Sequence, residues 1–277
     1  MTTQYGILPA PMAALDSDAA KELSGVSHIL CDLDDTLTTD GVLLASSYAA
    51  LERLKTSGRH VVVVTGRPAG WCDMIARLWP VSAVVGENGA FAFRYERQAK
   101  RMHRRFQRAE DQRHADQARL ARIFARVREK HPEVRLSADQ AYRVSDYAVD
   151  FCEDAPRLEK SVIDDIVAIF AQGGATAKIS SIHINAWIGD FDKLGMCLTV
   201  LTDDLGVEEQ ELSRSVLYVG DSPNDEPMFH RFPLSVGVAN IRPFLSEMRA
   251  HPRWISDRAG GRGFTSVVDM LLGEPFA

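Results

Sequence analysis

The sequence predicts an α/β protein built on a parallel sheet, with a smaller α+β segment inserted into it. Three observations carry that expectation. Short apolar runs, above all His60-Val61-Val62-Val63-Val64, have the length and β-branched content of strands covered on both faces. Helical spacings of apolar residues alternate with these runs, and strand–helix–strand alternation builds right-handed crossovers and a parallel sheet. The alternation lapses after Gly89 and resumes at Asp192, leaving between them short strands and two helices of a different style.

Taken in order, residues 1–25 carry little periodicity and two prolines, Pro9 and Pro11, and are compatible with an arm or a packed segment. The run His28-Ile29-Leu30-Cys31 then ends abruptly in Asp32, Asp34, Asp35, Thr36 and Thr38. Residues 46–57 carry Leu51 and Leu54 on a helical face and stop at Gly58, a residue type favoured just past a helix end. The valine strand leads into Thr65-Gly66-Arg67-Pro68, where proline suits a first helical turn. Trp71, Met74, Ile75 and Leu78 follow at helical spacing. Residues 81–85 read as the next strand, running into Gly86-Glu87-Asn88-Gly89-Ala90.

Within the inserted segment, residues 90–94, 142–144, 147–151, 177–180 and 182–186 are expected as strands. Helices are expected around Leu120, Ile123, Phe124 and Val127, and from Pro156 through Phe170 to Gly173-Gly174. Beyond Asp192 the first style returns. Residues 194–205 read as a helix and 215–219 as a strand ending in Gly220-Asp221-Ser222-Pro223-Asn224-Asp225. A strand at 234–238 and a helix at 264–272 complete the chain.

Composition narrows the function classes. The 277 residues are 45% hydrophobic and 25% charged, which is ordinary for a globular protein and excludes disorder and low complexity. No apolar stretch is long enough to span a bilayer, and the N-terminus lacks the basic-then-apolar pattern of a secretory signal. Cys31, Cys72, Cys152 and Cys197 are scattered in apolar surroundings, which fits free thiols in a reducing cytoplasm better than zinc or disulfides. Net charge is −6, yet residues 94–131 hold 13 Lys/Arg against 5 Asp/Glu. An acidic body with one basic segment fits a small anionic ligand meeting a cation site. The plainer reading is a solvated helix face. Nucleic acid is disfavoured, because the basic run has few aromatics and is diluted by Glu110, Asp111 and Asp116.

In open α/β sheets, chemistry gathers beyond the carboxyl ends of the strands. Three such ends carry reactive side chains: Asp32 with Asp34, Thr65, and Asp221 with Asp225. Lys193 stands where the body resumes. Singly each has a plain reading: a turn for the acids, a helix cap for Thr65, a solvated lysine for Lys193. As an ordered set, Asp32-Leu33-Asp34-Asp35-Thr36, Thr65-Gly66-Arg67, Lys193 and Gly220-Asp221-Ser222-Pro223-Asn224-Asp225 resemble the four motifs of the haloacid dehalogenase superfamily of phosphatases. The insertion and Glu87-Asn88-Gly89-Ala90 resemble its subgroup with a type IIB cap, which includes Cof-like, sucrose-phosphate and mannosyl-3-phosphoglycerate phosphatases and phosphomannomutase. Asp35 stands where that family usually has glycine; aspartate tolerates unusual backbone angles better than most residues.

The resemblance implies a Rossmann-like core from residues 1–89 and 189–277, with residues 90–188 as the cap. It also implies Mg²⁺ as cofactor, since a carboxylate attacking an anionic phosphoryl group needs that repulsion neutralised. Asp32 is then expected as nucleophile and metal ligand, forming an aspartyl-phosphate. Asp34 is expected as general acid and base, with its backbone carbonyl on the metal. Asp221 is expected as a metal ligand and Asp225 as an outer partner. Thr65, the Gly66 N–H, Lys193 and Asn224 are expected around the phosphoryl oxygens. In the cap, His183 and Asn185 are candidates to touch substrate, though strand residues paired with their neighbours are the plainer reading. The expected reaction is hydrolysis of a small phosphorylated metabolite, a sugar phosphate by preference. A phosphomutase sharing the same intermediate and a non-catalytic binding protein on the same fold are the rivals. The sequence leaves the oligomeric state open.

Overall fold

A computed structural model describes residues 13–273 of the chain. β1 (Ala13–Ala14) and α1 (Ser17–Leu23) precede the buried strand β2 (His28–Asp32). The alternation continues with α2 (Ala45–Thr56), β3 (His60–Val64), α3 (Ala69–Leu78) and β4 (Ala83–Gly86). Next come β5 (Phe91–Glu96), β6 (Arg101–Phe106), α4 (Glu110–Lys130), β7 (Arg135–Leu136) and β8 (Asp146–Asp150). α5 (Lys160–Gln172), β9 (Thr176–Ile179), β10 (His183–Trp187) and α6 (Lys193–Thr199) follow. The chain ends with α7 (Leu212–Ser215), β11 (Val216–Gly220), α8 (Glu226–Arg231), β12 (Ser235–Gly237), β13 (Trp254–Ile255) and α9 (Gly260–Leu272). The described residues form two compact units, 13–61 with 208–273, and 62–207.

The first unit is an all-parallel array in the order β1-β13-β12-β11-β2. Its strands are apolar almost throughout, as strands covered on both faces require. β2 and β11 run side by side with Leu30 opposite Tyr218 and Cys31 opposite Val219. That register delivers Asp32 and Asp221 to adjacent strand ends. α2 buries Ser47, Ala50, Leu51 and Leu54, a spacing that makes one face. It packs against α9, where Gly261 permits the approach: a Cβ there would sit 2.2 Å from Ser47 Oγ of α2. Arg53 pairs with the buried Asp269 at 2.7 Å between the same helices. The segment 13–25 is packed. Asp16 caps α1 by accepting from the Asp18 and Ala19 N–H groups, and Ala19 and Leu23 are buried. Residues 1–12 of the expected arm, with Pro9 and Pro11, lie outside the described residues.

In the second unit β3 and β4 are parallel, while β5 and β6 extend this sheet antiparallel. A second, antiparallel sheet has the order β7-β8-β10-β9. Leu120, Ile123 and Val127 of α4 and Ile163, Ile166 and Phe170 of α5 pack with Val149 and Ile184 of that sheet. Two helices on a small sheet is the arrangement expected for the insertion.

Three local expectations differ from the structure. The basic run is not only a solvated helix face, because residues 101–106 form β6. Three of its arginines are taken up in separate ion pairs: Arg104 with Asp73 at 2.9 Å, Arg105 with Asp204 at 2.9 Å, and Arg108 with Asp116. Residues 142–144 are not a strand. A 3-10 turn covers Gln140–Tyr142, and the next N–H groups bond to a side chain instead of a neighbouring strand. α5 begins at Lys160 and not at Pro156, because the Leu158 N–H is drawn to the Phe151 carbonyl. All four cysteines are free thiols, and among the described residues no helix is long and apolar enough to cross a membrane.

Candidate active site

The first unit assembles the acidic residues. Asp32 closes β2 and is buried, while Asp34 in the following turn is half-buried. The turn is held by the Leu33 carbonyl, which accepts the N–H groups of Leu37 and Thr38. Thr38 Oγ1 also donates to it at 3.2 Å, and the Asp35 N–H donates to Thr38 Oγ1. Asp35 takes φ +58, the left-handed angle that glycine usually supplies, so the substitution is accommodated without remodelling the turn. Thr36 Oγ1 reaches across to donate to Asp221 Oδ1 at 2.9 Å.

Asp221 is held on both oxygens by neutral donors, since Asn240 Nδ2 donates to Oδ2 at 3.1 Å. Burial raises its pKa well above the ordinary carboxylate range, and the charges of Asp225 and Asp32 raise it further. Cys31, beneath the same carboxylates, is pushed up chiefly by burial. Asp225 is wholly buried and acts on the backbone. Its Oδ2 accepts the Asp221 and Ser222 N–H groups, and its Oδ1 accepts from Tyr218 Oη at 2.5 Å. It therefore orients the Asp221 turn. Asn224 is half-buried, and its Oδ1 accepts from Ser222 Oγ at 2.8 Å.

Sequence reasoning missed Asn240. One amide joins three segments: Nδ2 donates to Asp221 and to the Asp35 carbonyl, and Oδ1 accepts the Gly260 N–H at 3.0 Å. It follows β12 closely, so applying the strand-end rule to this strand also would have found it.

The second unit holds Thr65, Gly66 and Lys193. Thr65 ends β3, and its Oγ1 accepts the Arg67 N–H at 3.0 Å, which shapes the turn before α3. Lys193 opens α6 behind the Asp192 cap and is buried. The turn Glu87–Gly89 connects these pieces. Its Asn88 N–H donates to the Thr65 carbonyl, and Gly89, at φ +99, lies so close to Asp192 that a Cβ would come within 2.0 Å of its carbonyl. Only glycine fits there.

Around that turn lies a charge network that sequence reasoning did not foresee. Glu87, wholly buried at φ +42, accepts the N–H groups of Ala69, Val144, Ser145 and Asp146. Burial first, and then the Asp146 charge, push it up to about 8, against the pull of Arg143. Arg143 donates to Asp139, to Asp146 at 3.0 Å, and to the Gly66 carbonyl at 2.8 Å. Burial opposes its charge, but Asp146, Asp139 and Glu87 more than restore it. Arg67 pairs with Glu153 at 2.7 Å, and Glu153 lies 2.8 Å from His183. These partners hold Glu153 down at about 2, despite the opposing effect of burial. Asn185 Nδ2 donates to Asp146. His183 thus faces Glu153 of the turn after β8, and Asn185 faces Asp146 of β8.

The comparisons with known proteins agree with this architecture. Residues 29–115 match the haloacid dehalogenase-like hydrolases. A phosphoglycolate phosphatase of Methanothrix thermoacetophila is 25% identical over 250 residues, spanning 89% of this chain and 97% of its own. A solved Thermoplasma acidophilum protein superposes with TM-score 0.67 at 17% identity, covering 89% of this chain and 98% of its own. A Synechocystis sucrose-phosphatase, solved with sucrose and phosphate, superposes with TM-score 0.60 at 15% identity and the same coverage. The match over residues 29–115 makes that stretch similar to the haloacid dehalogenase-like hydrolases. The phosphatase names among the relatives support a phosphatase.

Proposed function

We propose that the protein is a Mg²⁺-dependent phosphomonoester hydrolase that works through an aspartyl-phosphate on Asp32, with a small phosphorylated metabolite, a sugar phosphate by preference, as substrate. The observation that carries this reading is the pair of adjacent strand ends bearing Asp32 and Asp221, with the Asp221 carboxyl crowded by like charge and bonded only to neutral donors among the described residues. Such a cluster fits a divalent cation and an electrophilic phosphorus. Among the described residues no three acidic, His or Cys side chains form a cage of their own. Asp32 and Asp221, with the Asp34 carbonyl that the resemblance implies, would hold the ion, an oxygen donor set that suits Mg²⁺. When bound, the ion neutralises charge between the carboxylates and the phosphoryl group.

The residues divide the work as follows. Asp32 attacks phosphorus and the alkoxide leaves, taking a proton from Asp34. Asp34 then removes a proton from the water that hydrolyses the acyl phosphate, which regenerates Asp32. Thr65, the Gly66 N–H and Lys193 hold the phosphoryl oxygens, and Asn224 is assigned beside them. Asp225 and Asn240 fix the Asp221 turn. Residues 90–188 serve as a cap over the core formed by 1–89 and 189–277, excluding water and selecting the substrate. The sugar-phosphate preference draws on the bound sucrose and phosphate of the Synechocystis enzyme. The test is phosphate release from a panel of phosphomonoesters with Mg²⁺, and with excess EDTA. Turnover with Mg²⁺ and none with EDTA is expected; isomer formation without free phosphate would replace hydrolase by mutase.

A further inference from the structure

The loop Thr65-Gly66-Arg67 is tied down at three successive carbonyls. The Asn88 N–H donates to the Thr65 carbonyl at 3.2 Å, and the Glu87 N–H donates to the Arg67 carbonyl at 3.2 Å. The middle tie differs in kind. The Gly66 carbonyl accepts from Arg143 Nη1 at 2.8 Å, a side chain 77 residues further along the chain. That guanidinium is wholly buried. Its Nε and Nη2 hold the two oxygens of Asp139, which leaves Nη1 shared between Asp146 and the Gly66 carbonyl. The acids account for a buried arginine. They do not require one of its arms to reach a neutral carbonyl.

That carbonyl belongs to the same planar trans peptide as the Arg67 N–H, and the two point in opposite directions. The Arg67 N–H in turn donates to Thr65 Oγ1 at 3.0 Å. A continuous line thus runs from the guanidinium through one peptide group to the threonine hydroxyl. Hydrogen bonds in such a line polarise one another, most strongly where they are shielded from water. A hydroxyl has one proton and two lone pairs and rotates to suit its neighbours. With the Arg67 N–H on one lone pair, Thr65 Oγ1 has no acceptor for its proton among the described residues. An ordinary turn before a helix explains the N–H contact alone. It does not call for a buried cation behind that N–H.

We propose that Arg143 is a positioning residue for phosphoryl binding: through the Gly66–Arg67 peptide it holds the Thr65 hydroxyl as a donor, its proton directed at a phosphoryl oxygen. Arg143 itself touches no substrate. The Gly66 N–H, the other donor of this loop, belongs to the Thr65–Gly66 peptide, whose carbonyl is held by Asn88, so Arg143 does not set it. Lysine is no substitute, because a single ammonium cannot fork across Asp139 and also reach the Gly66 carbonyl. This deepens the phosphatase reading and rests on it.

The experiment is a double-mutant cycle on kcat/KM for p-nitrophenyl phosphate with Mg²⁺, joining Arg143→Lys and Thr65→Val. Arg143→Lys keeps the buried charge and is expected to lower kcat/KM by roughly 10-fold, the scale of one neutral hydrogen bond, and to weaken orthovanadate binding by a similar factor. In the Thr65→Val background no hydroxyl is left to orient, and the same change is expected to cost less than about 2-fold. Losses that multiply mark a merely structural role and overturn the proposal, as does an unchanged kcat/KM in Arg143→Lys. Should Arg143→Lys fail to fold, Arg143→Gln combined with Asp146→Asn, which removes one charge of each sign, takes its place in the cycle with the same expectations. Wild-type protein that releases phosphate from no ester overturns the phosphatase reading itself, an outcome distinct from multiplying losses in an active enzyme.

Discussion

Asp221 of the first unit and Asp146 of the second are both almost wholly inaccessible, and in both burial raises the carboxyl pKa. Their surroundings are opposite. Asp146 faces the Arg143 guanidinium at 3.0 Å and takes a hydrogen bond from Asn185, so its charge is answered within the fold. Asp221 is met by a hydroxyl and an amide, and the charges acting on it are those of other carboxylates. A buried acid with a built-in counter-ion is a structural brace. A buried acid among acids is a site prepared for something positive or electrophilic, because desolvated like charges are otherwise destabilising. The contrast separates the architectural network from the proposed chemistry without appeal to any relative.

The comparison can be broken most sharply at Asp32. Asp32→Asn should lower phosphate release by about 10⁴-fold or more, on the scale seen when a covalent nucleophile is lost, with the circular dichroism spectrum unchanged. Residual turnover near wild type would leave the acidic cluster without its assigned role. On the architectural side, Arg143→Met strands Asp139, Asp146 and Glu87 without their shared cation. A loss of about 3–5 kcal/mol in urea-induced unfolding is expected. If stability barely changes, the network is not the brace described.

Asp221→Asn should behave differently. It relieves like-charge repulsion but gives up an acceptor for Asn240, so metal-free stability should shift by no more than about 1 kcal/mol. Mg²⁺ should raise the Tm of the wild type, and that stabilisation should vanish in this variant. The smallest effect is a pH slope. Glu87 sits near 8 against an ordinary value of 4.5, and Asp146 is raised too. The folded state thus keeps protons that the unfolded chain releases. That stabilisation is complete below pH 4.5 and is lost as pH rises through 8. Tm should fall from pH 6 to pH 9, more steeply in wild type than in Glu87→Gln.

What could be read in the sequence follows the same division. The proposed chemistry lies at strand ends, and strands covered on both faces announce themselves as apolar runs, so β2, β3 and β11 and the acids beyond them stood out. Asn240 did not, because β12 is only three residues long and its following turn carries no charge. β6 was hidden by its arginines, whose aliphatic stems can cover sheet surface while their charged ends reach Asp73 and Asp204. The Glu87 network was out of reach for another reason. Three of its four donors lie 57 to 59 residues further along the chain, and nothing local marks a glutamate that will be buried to cap another segment. That same capture is why residues 142–144, strand-like in composition, do not pair as a strand.

The most direct test of the central claim uses Asp34→Asn, which should form the acyl phosphate but be slow to hydrolyse it. The variant is incubated with Mg²⁺ and a ³²P-labelled ester that wild type turns over, quenched in acid, digested and mapped. The account predicts a hydroxylamine-labile label on the peptide containing Asp32, absent from the Asp32→Asn, Asp34→Asn double variant. Label on any other peptide, or no label while Asp34→Asn still turns the ester over, would contradict it.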